Sequence, residues 1–171
     1  MTDYLSNESV KLIRTIASTP NANSFFLTLA YNAPHNPLQA LKSDYEDPAL
    51  NYISTHNGRV YAAMIKALDR GVGQILEALK DTNQWNNTIV IFTSDNGGAS
   101  YIDLPLINHP YRGWKATFFE GGIRVPLFMQ WPLMIDAATE VTQTVSHVDI
   151  FPTLFAAAAM MNSSSSLSNP E

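Results

Sequence analysis

The sequence predicts an α/β fold, a mostly parallel sheet with helices on both faces, from three consecutive segments. Residues 24–31 (SFFLTLAY) form a continuous apolar and aromatic run of strand length, the pattern of a strand buried on both faces. Tyr61, Met64, Ile65, Leu68, Val72, Ile75, Leu76 and Leu79 recur at offsets 0, 3, 4, 7, 11, 14, 15 and 18, which makes one apolar face of a helix over residues 57–79. Arg59, Lys66, Asp69, Arg70, Glu77 and Lys80 take the opposite face. Residues 88–93 (TIVIFT) are a β-branched run that reads as a second buried strand. Strand, long helix, strand is a crossover unit, and a crossover joins parallel strands.

The other elements follow in order. Leu5, Leu12, Ile13 and Ile16 share a helical face, so a short first helix is expected to end before Pro20. Past the first strand comes Ala33-Pro34-His35-Asn36-Pro37-Leu38, two prolines bracketing a histidine. A polar turn over residues 81–87 precedes the second strand, which runs into Ser94-Asp95-Asn96-Gly97-Gly98. A long loop holds Lys115 and Glu120-Gly121-Gly122, then a strand over residues 123–131 is interrupted by Pro126. Residues 147–161 read as a closing helix with Pro152 in its first turn. Residues 1–161 are expected to form one domain, and residues 162–171, with five Ser in ten, a disordered tail.

Composition narrows the function. The 171 residues are 46% hydrophobic and 15% charged, ordinary for a globular chain. A net charge of -5 provides no basic field for nucleic acid or an anionic membrane, so any anion site must be local. The longest apolar run, Leu154 to Met161, has eight residues against the roughly 20 that span a bilayer, and no membrane span is expected. The polar, acidic start from Thr2 to Glu8 is unlike a signal peptide. Sequons stand at Asn7, Asn86 and Asn162. With no Cys there are no disulfides, thiolate metal sites or cysteine nucleophile.

In the crossover topology, groups that follow the two strands emerge at one sheet edge, so His35 and Asp95 can be neighbours. Asp95 and Asn96 offer two hard oxygen donors suited to Ca2+ or Mg2+; equally, Asp-Asn-Gly-Gly can be a tight turn using glycine's positive φ. Two donors cannot fill the 6 to 8 oxygen positions Ca2+ takes. His35, confined by its prolines, could serve as a general acid or base, or be an ordinary loop residue. Lys115, after Arg112-Gly113-Trp114, could neutralise an oxyanion or sit solvated at the surface. Glu120 suits a capping or hydrogen-bonding role, and Arg124 a buried ion pair. His56, His109 and His147 have no partners at a metal-binding spacing and read as structural.

Four segments taken together, FFLTLAYNAPHNPLQA, NGRVYAAMIKALDRGVGQILEALKDTNQWNNTIVIFTSDNGG, YRGWKATFFEGGIRVP and HVDIFPTLF, resemble in that order the catalytic domain of sulfatases, most closely those similar to arylsulfatase B. The resemblance implies an alkaline-phosphatase-like fold, incomplete here, a bound Ca2+, and hydrolysis of sulfate esters, on aryl sulfates or sulfated sugars, through a formylglycine nucleophile. It matches Asp95 and Asn96 to metal ligands, His35 to the histidine near the leaving-group oxygen, and Lys115 to the lysine on the sulfate. It also implies a lysosomal, secreted or periplasmic setting. One departure stands out. The family's nucleophile motif is Cys or Ser, any residue, Pro, any residue, Arg, whereas Ser18-Thr19-Pro20-Asn21-Ala22 lacks the Arg. The chain is therefore expected to be part of a sulfuric ester hydrolase and inactive alone. The alternatives are a non-catalytic sulfatase-like binding protein and a phosphonate or phosphodiester hydrolase of the same superfamily.

Overall fold

The computed structural model describes residues 1–22 and 24–166, with side chains described through Met160. It divides into two compact units, Met1–Asp136 and Ala137–Glu171.

In the first unit, helix α1 (Thr2–Ser18) stops two residues before Pro20, as its sequence requires. A single turn, α2 (Lys42–Tyr45), precedes the 26-residue helix α3 (His56–Asp81), slightly longer at both ends than its apolar repeat. Helix α3 contributes to every one of three core clusters: Ala78 and Leu79 pack with Ile13 of α1, Val60 and Met64 with Ala33, and Ala63 with Leu50 and Ile53. Small residues let α1 approach closely, since a Cβ on Gly71 would overlap the fully buried Ser6 hydroxyl. Arg70 then ties three elements together. Its guanidinium donates to both carboxylate oxygens of Asp44, at 2.7 and 3.0 Å, and to Asp3 Oδ1 at 2.9 Å. Asp44 is only 4% exposed, and the hydrogen bonds from Arg70 hold its carboxyl below the usual 3.8.

The first strand of the expected crossover is not formed. Residues 24–31 join no ladder and alternate in exposure, with Phe25, Leu27, Leu29 and Tyr31 half-buried and Phe26 79% exposed. Phe25 packs on the Ile13 cluster, and the Tyr31 hydroxyl lies 2.7 Å from Ser6 Oγ. The segment is thus covered by helices on one face only, and a strand needs a second backbone beside it as well as apolar faces. The sheet among the described residues is two-stranded and antiparallel, correcting the expected parallel pairing. Strand β1 (Val90–Thr93) pairs with β2 (Leu127–Gln130) from Val90↔Gln130 to Thr93↔Leu127. Both strands are shorter than expected and are not fully buried; Phe128 is 65% exposed. Ile123, the expected first residue of the last strand, instead closes a helical turn, α4 (Glu120–Ile123), and β2 begins just after Pro126, which has no N–H for a ladder.

The second unit holds helix α5 (Ile150–Ser166), with Pro152 in its first turn. A preceding turn, His147–Asp149, is fixed by a capping box in which the Ser146 N–H donates to Asp149 Oδ2 at 2.7 Å. The helix takes in the first residues of the expected disordered tail, and residues 167–171 lie outside the described residues. Among the described residues no helix is long and apolar enough to cross a membrane.

Candidate functional site

Strand β1 delivers Ser94-Asp95-Asn96-Gly97-Gly98 at its carboxyl end, where open α/β sheets gather their chemistry. Ser94 Oγ donates to the Asn96 carbonyl at 2.8 Å, and Asn96 Nδ2 lies against Asp95 Oδ1. Asn96 Oδ1 is buried and has no hydrogen-bond partner. Among the described residues Gly113, at φ +91°, is the glycine with positive φ; Gly97 and Gly98 do not use that freedom. Their smallness serves close approach instead. The Gly97 N–H donates to Gly122 O at 2.9 Å and the Gly121 N–H to Arg112 O at 2.8 Å, and a Cβ on Gly97 would overlap Gly121 O. Gly121 and Gly122, expected to shape a turn, are buried packing surfaces for the strand-end loop.

Lys115 enters this arrangement through its backbone, its N–H donating to Gly98 O at 3.0 Å. Its side chain reaches the other predicted residue: Lys115 Nζ lies 2.8 Å from His35 Nε2. His35 Nδ1 is 2.9 Å from the carbonyl of Asn36. A carbonyl only accepts and an ammonium only donates, so the two contacts fit the tautomer that donates from Nδ1 and accepts at Nε2. The His35 backbone is held in turn by its N–H donating to Asn32 O at 2.8 Å and by buried Ala33 on the α3 core. The structure therefore joins His35 to Lys115 directly, and Lys115 to the Asp95–Asn96 loop through Gly98.

Other readings sort differently. Arg124 does pair with Glu120, at 3.0 Å, but the pair is exposed rather than buried, with Arg124 over the Tyr111 ring at 4.6 Å. His56 bonds the Tyr45 hydroxyl through Nδ1 at 3.1 Å, in keeping with a structural role. Among the described residues no three His, Cys, Asp or Glu side chains cluster to hold a metal. Sequence reasoning missed Asn108, whose carboxamide accepts from the Gly98 N–H at 2.8 Å and donates to Gly98 O at 3.0 Å and Gly113 O at 3.1 Å. A single Asn ahead of His109-Pro110 carries no local pattern that would have found it.

The architecture is a partial α/β fold of the alkaline-phosphatase-like class, with a small sheet. A model of the sulfatase family matches residues 2–160, and the chain belongs to that family. It is 35% identical over 159 residues to the uncharacterized sulfatase YdeN of Escherichia coli (strain K12), covering 92% of this chain and 27% of YdeN. With arylsulfatase J of Mus musculus it shares 38% identity over 143 residues, 84% of this chain and 23% of that protein. Among solved structures, that of Ps i-CgsB in complex with k-i-k-neocarrahexaose superimposes at TM-score 0.84 with 40% identity, over 92% of this chain and 34% of that one. The chain thus spans about a quarter of the length of the curated relatives it matches.

Proposed function

We propose that this chain supplies part of the active site of a sulfuric ester hydrolase, and that His35, Lys115, Asp95 and Asn96 are its working residues. The observation that carries the reading is the 2.8 Å contact between Lys115 Nζ and His35 Nε2, with the Lys115 backbone bonded to the loop of Asp95 and Asn96. An ammonium held by a neutral imidazole is a cation ready for an anionic sulfate. When a sulfate oxygen draws the ammonium away, the Nε2 lone pair is free to take a proton from solvent water, and the imidazolium so formed gives that proton to the departing ester oxygen and returns to the neutral ring, while Asn36 O keeps the ring oriented through Nδ1.

The buried, unpartnered Asn96 Oδ1 beside the Asp95 carboxylate fits a hard cation, and Ca2+ would be held there by one charged and one neutral oxygen. Bound Ca2+ would supply charge to neutralise sulfate oxygens. Formylglycine is a different matter: Ser18 lies at the end of α1 with its hydroxyl donating to Thr15 O at 3.0 Å, and its motif lacks the Arg. The attacking group is assigned to no residue of this chain. Substrates of the class expected are aryl sulfates or sulfated sugars, and the compartment lysosomal, secreted or periplasmic.

The test uses a sulfatase-length polypeptide carrying these residues, assayed on matched aryl sulfate and aryl phosphate esters. Preferred turnover of the sulfate ester supports the reading. Preference for the phosphate ester would place the protein with the phosphodiester and phosphonate hydrolases, and turnover of neither would leave an anion-binding protein.

A further inference from the structure

The segment from Ser94 to Pro126 that links β1 to β2 contains no strand, and backbone hydrogen bonds such as Gly97 N–H to Gly122 O and Lys115 N–H to Gly98 O hold its loops together. Asn108 does the same work with a side chain. We propose that Asn108 is a positioning residue that sets the spacing between the Asp95–Asn96 pair and Lys115, an inference that rests on the sulfate-ester reading above.

Asn108 touches both sides of that spacing. Gly98 stands two residues past Asn96, and Gly113 two residues before Lys115. The carboxamide treats Gly98 as a neighbouring strand would, accepting from its N–H at 2.8 Å and donating to its carbonyl at 3.0 Å, and it donates as well to Gly113 O at 3.1 Å. One acceptor and two donors on a short stem are what an asparagine side chain offers; Asp lacks the donors and Ala lacks all three. Gly98 O also accepts from the Lys115 N–H at 3.0 Å, so one carbonyl receives both Asn108 and Lys115. Gly98 has to be Gly here, because a Cβ would crowd Ile107 Cγ1 at 2.6 Å and Asn108 Oδ1 at 3.0 Å. The carboxamide bonds of Asn108 all run to Gly98 and Gly113 in the loops between β1 and α4, so the effect of its loss is expected there and not in α3.

The test compares the 171-residue chain with Asn108→Ala and Asn108→Asp by amide hydrogen exchange and by titration with inorganic sulfate, read at the His35 and Lys115 side-chain resonances. In Asn108→Ala the Lys115 amide is expected to exchange about tenfold faster or more, with α3 amides within about twofold of the parent. Sulfate should bind about tenfold more weakly. Asn108→Asp, which keeps the acceptor for the Gly98 N–H, should fall between on both readouts. Unchanged exchange at Lys115 overturns the proposal, as does parallel acceleration in α3, which would make Asn108 a residue of the fold at large. If the parent chain shows no sulfate response at His35 and Lys115, the exchange contrast alone decides the role of Asn108, and the sulfate-ester reading stands or falls on the ester assay of the sulfatase-length polypeptide.

Discussion

Lys115 and His35 meet across 80 residues of sequence, and the proton count at their contact dictates how each should respond to mutation. On the proposed reading, removing Lys115 takes away a positive charge aimed at sulfate, whereas removing His35 takes away both the group that holds that charge and the proposed proton carrier. In a sulfatase-length polypeptide, Lys115→Ala should lower aryl sulfate turnover by about 10²- to 10³-fold and His35→Ala by about 10²- to 10⁴-fold, on the scale of lost oxyanion donors and lost general acids. Melting temperature should hold in both variants, because neither residue belongs to a core cluster; turnover kept within twofold in either would remove that residue from the site. The metal makes a second prediction. One carboxylate and one amide oxygen should bind Ca2+ weakly in the isolated 171 residues, because ligand number and charge set affinity. Submicromolar Ca2+ binding by calorimetry would mean that further ligands exist in this chain. The ordered motifs of the sequence single out His35, Lys115, Asp95 and Asn96, and the structure brings the first two into contact and links Lys115 to the loop of the other two. Asn108 and the packing use of Gly97 and Gly121 were not legible there, because contacts among irregular loops have no period to read.

Helix α3 is the element on which the first unit depends, and its two partners can be probed separately. Gly71 faces Ser6 of α1 with no room for a methyl group, and Ser6 is itself held by Tyr31, so Gly71→Ala should destabilise the unit by about 1–3 kcal/mol despite the better helix propensity of Ala. A stability gain in urea titration would show that α1 and α3 can separate freely. The Asp44 carboxyl reports on the other side. Arg70 lowers its pKa in the folded state below 3.8, so the folded chain binds this proton less readily than the unfolded one. Stability from this group is therefore complete above 3.8 and is lost as pH falls through the folded-state value. Asp44→Asn should cost about 1–3 kcal/mol at pH 7 and progressively less as pH falls below 3.8 and the parent's carboxyl takes up its proton; a cost that does not shrink on acidification would refute the pairing. Helix α3 was readable from its sequence because a helix closes its own hydrogen bonds and needs only an apolar face to dock. Residues 24–31 have the apolar faces of a strand but depend on a neighbouring backbone, a property no local run of letters contains.

At the scale of the whole molecule, the chain spans about a quarter of the length of the curated relatives it matches. It also leaves Phe26, Phe118 and Phe128 at least 65% exposed, the first on an extended segment without a ladder. These are surfaces and edges that a larger sheet would cover. Chemistry points the same way. General acid catalysis is worth ~10²- to 10⁴-fold, so in the role proposed for them His35 and Lys115 would assist an attack on sulfur without supplying the attacking atom. Ser18-Thr19-Pro20-Asn21-Ala22, the segment nearest the family's nucleophile motif, lacks its Arg. The purified 171-residue chain is therefore expected not to turn over a chromogenic aryl sulfate, with Ca2+ present or removed by chelation, and Asp95→Ala should be indistinguishable from it. Turnover that persists in Asp95→Ala would point to a contaminating enzyme. Turnover that disappears in Asp95→Ala would mean that Asp95 and Asn96 organise a complete site without formylglycine, with metal-bound water as the candidate nucleophile. In that event the assignment of His35 and Lys115 as helpers to an attacking group outside this chain would have to be abandoned.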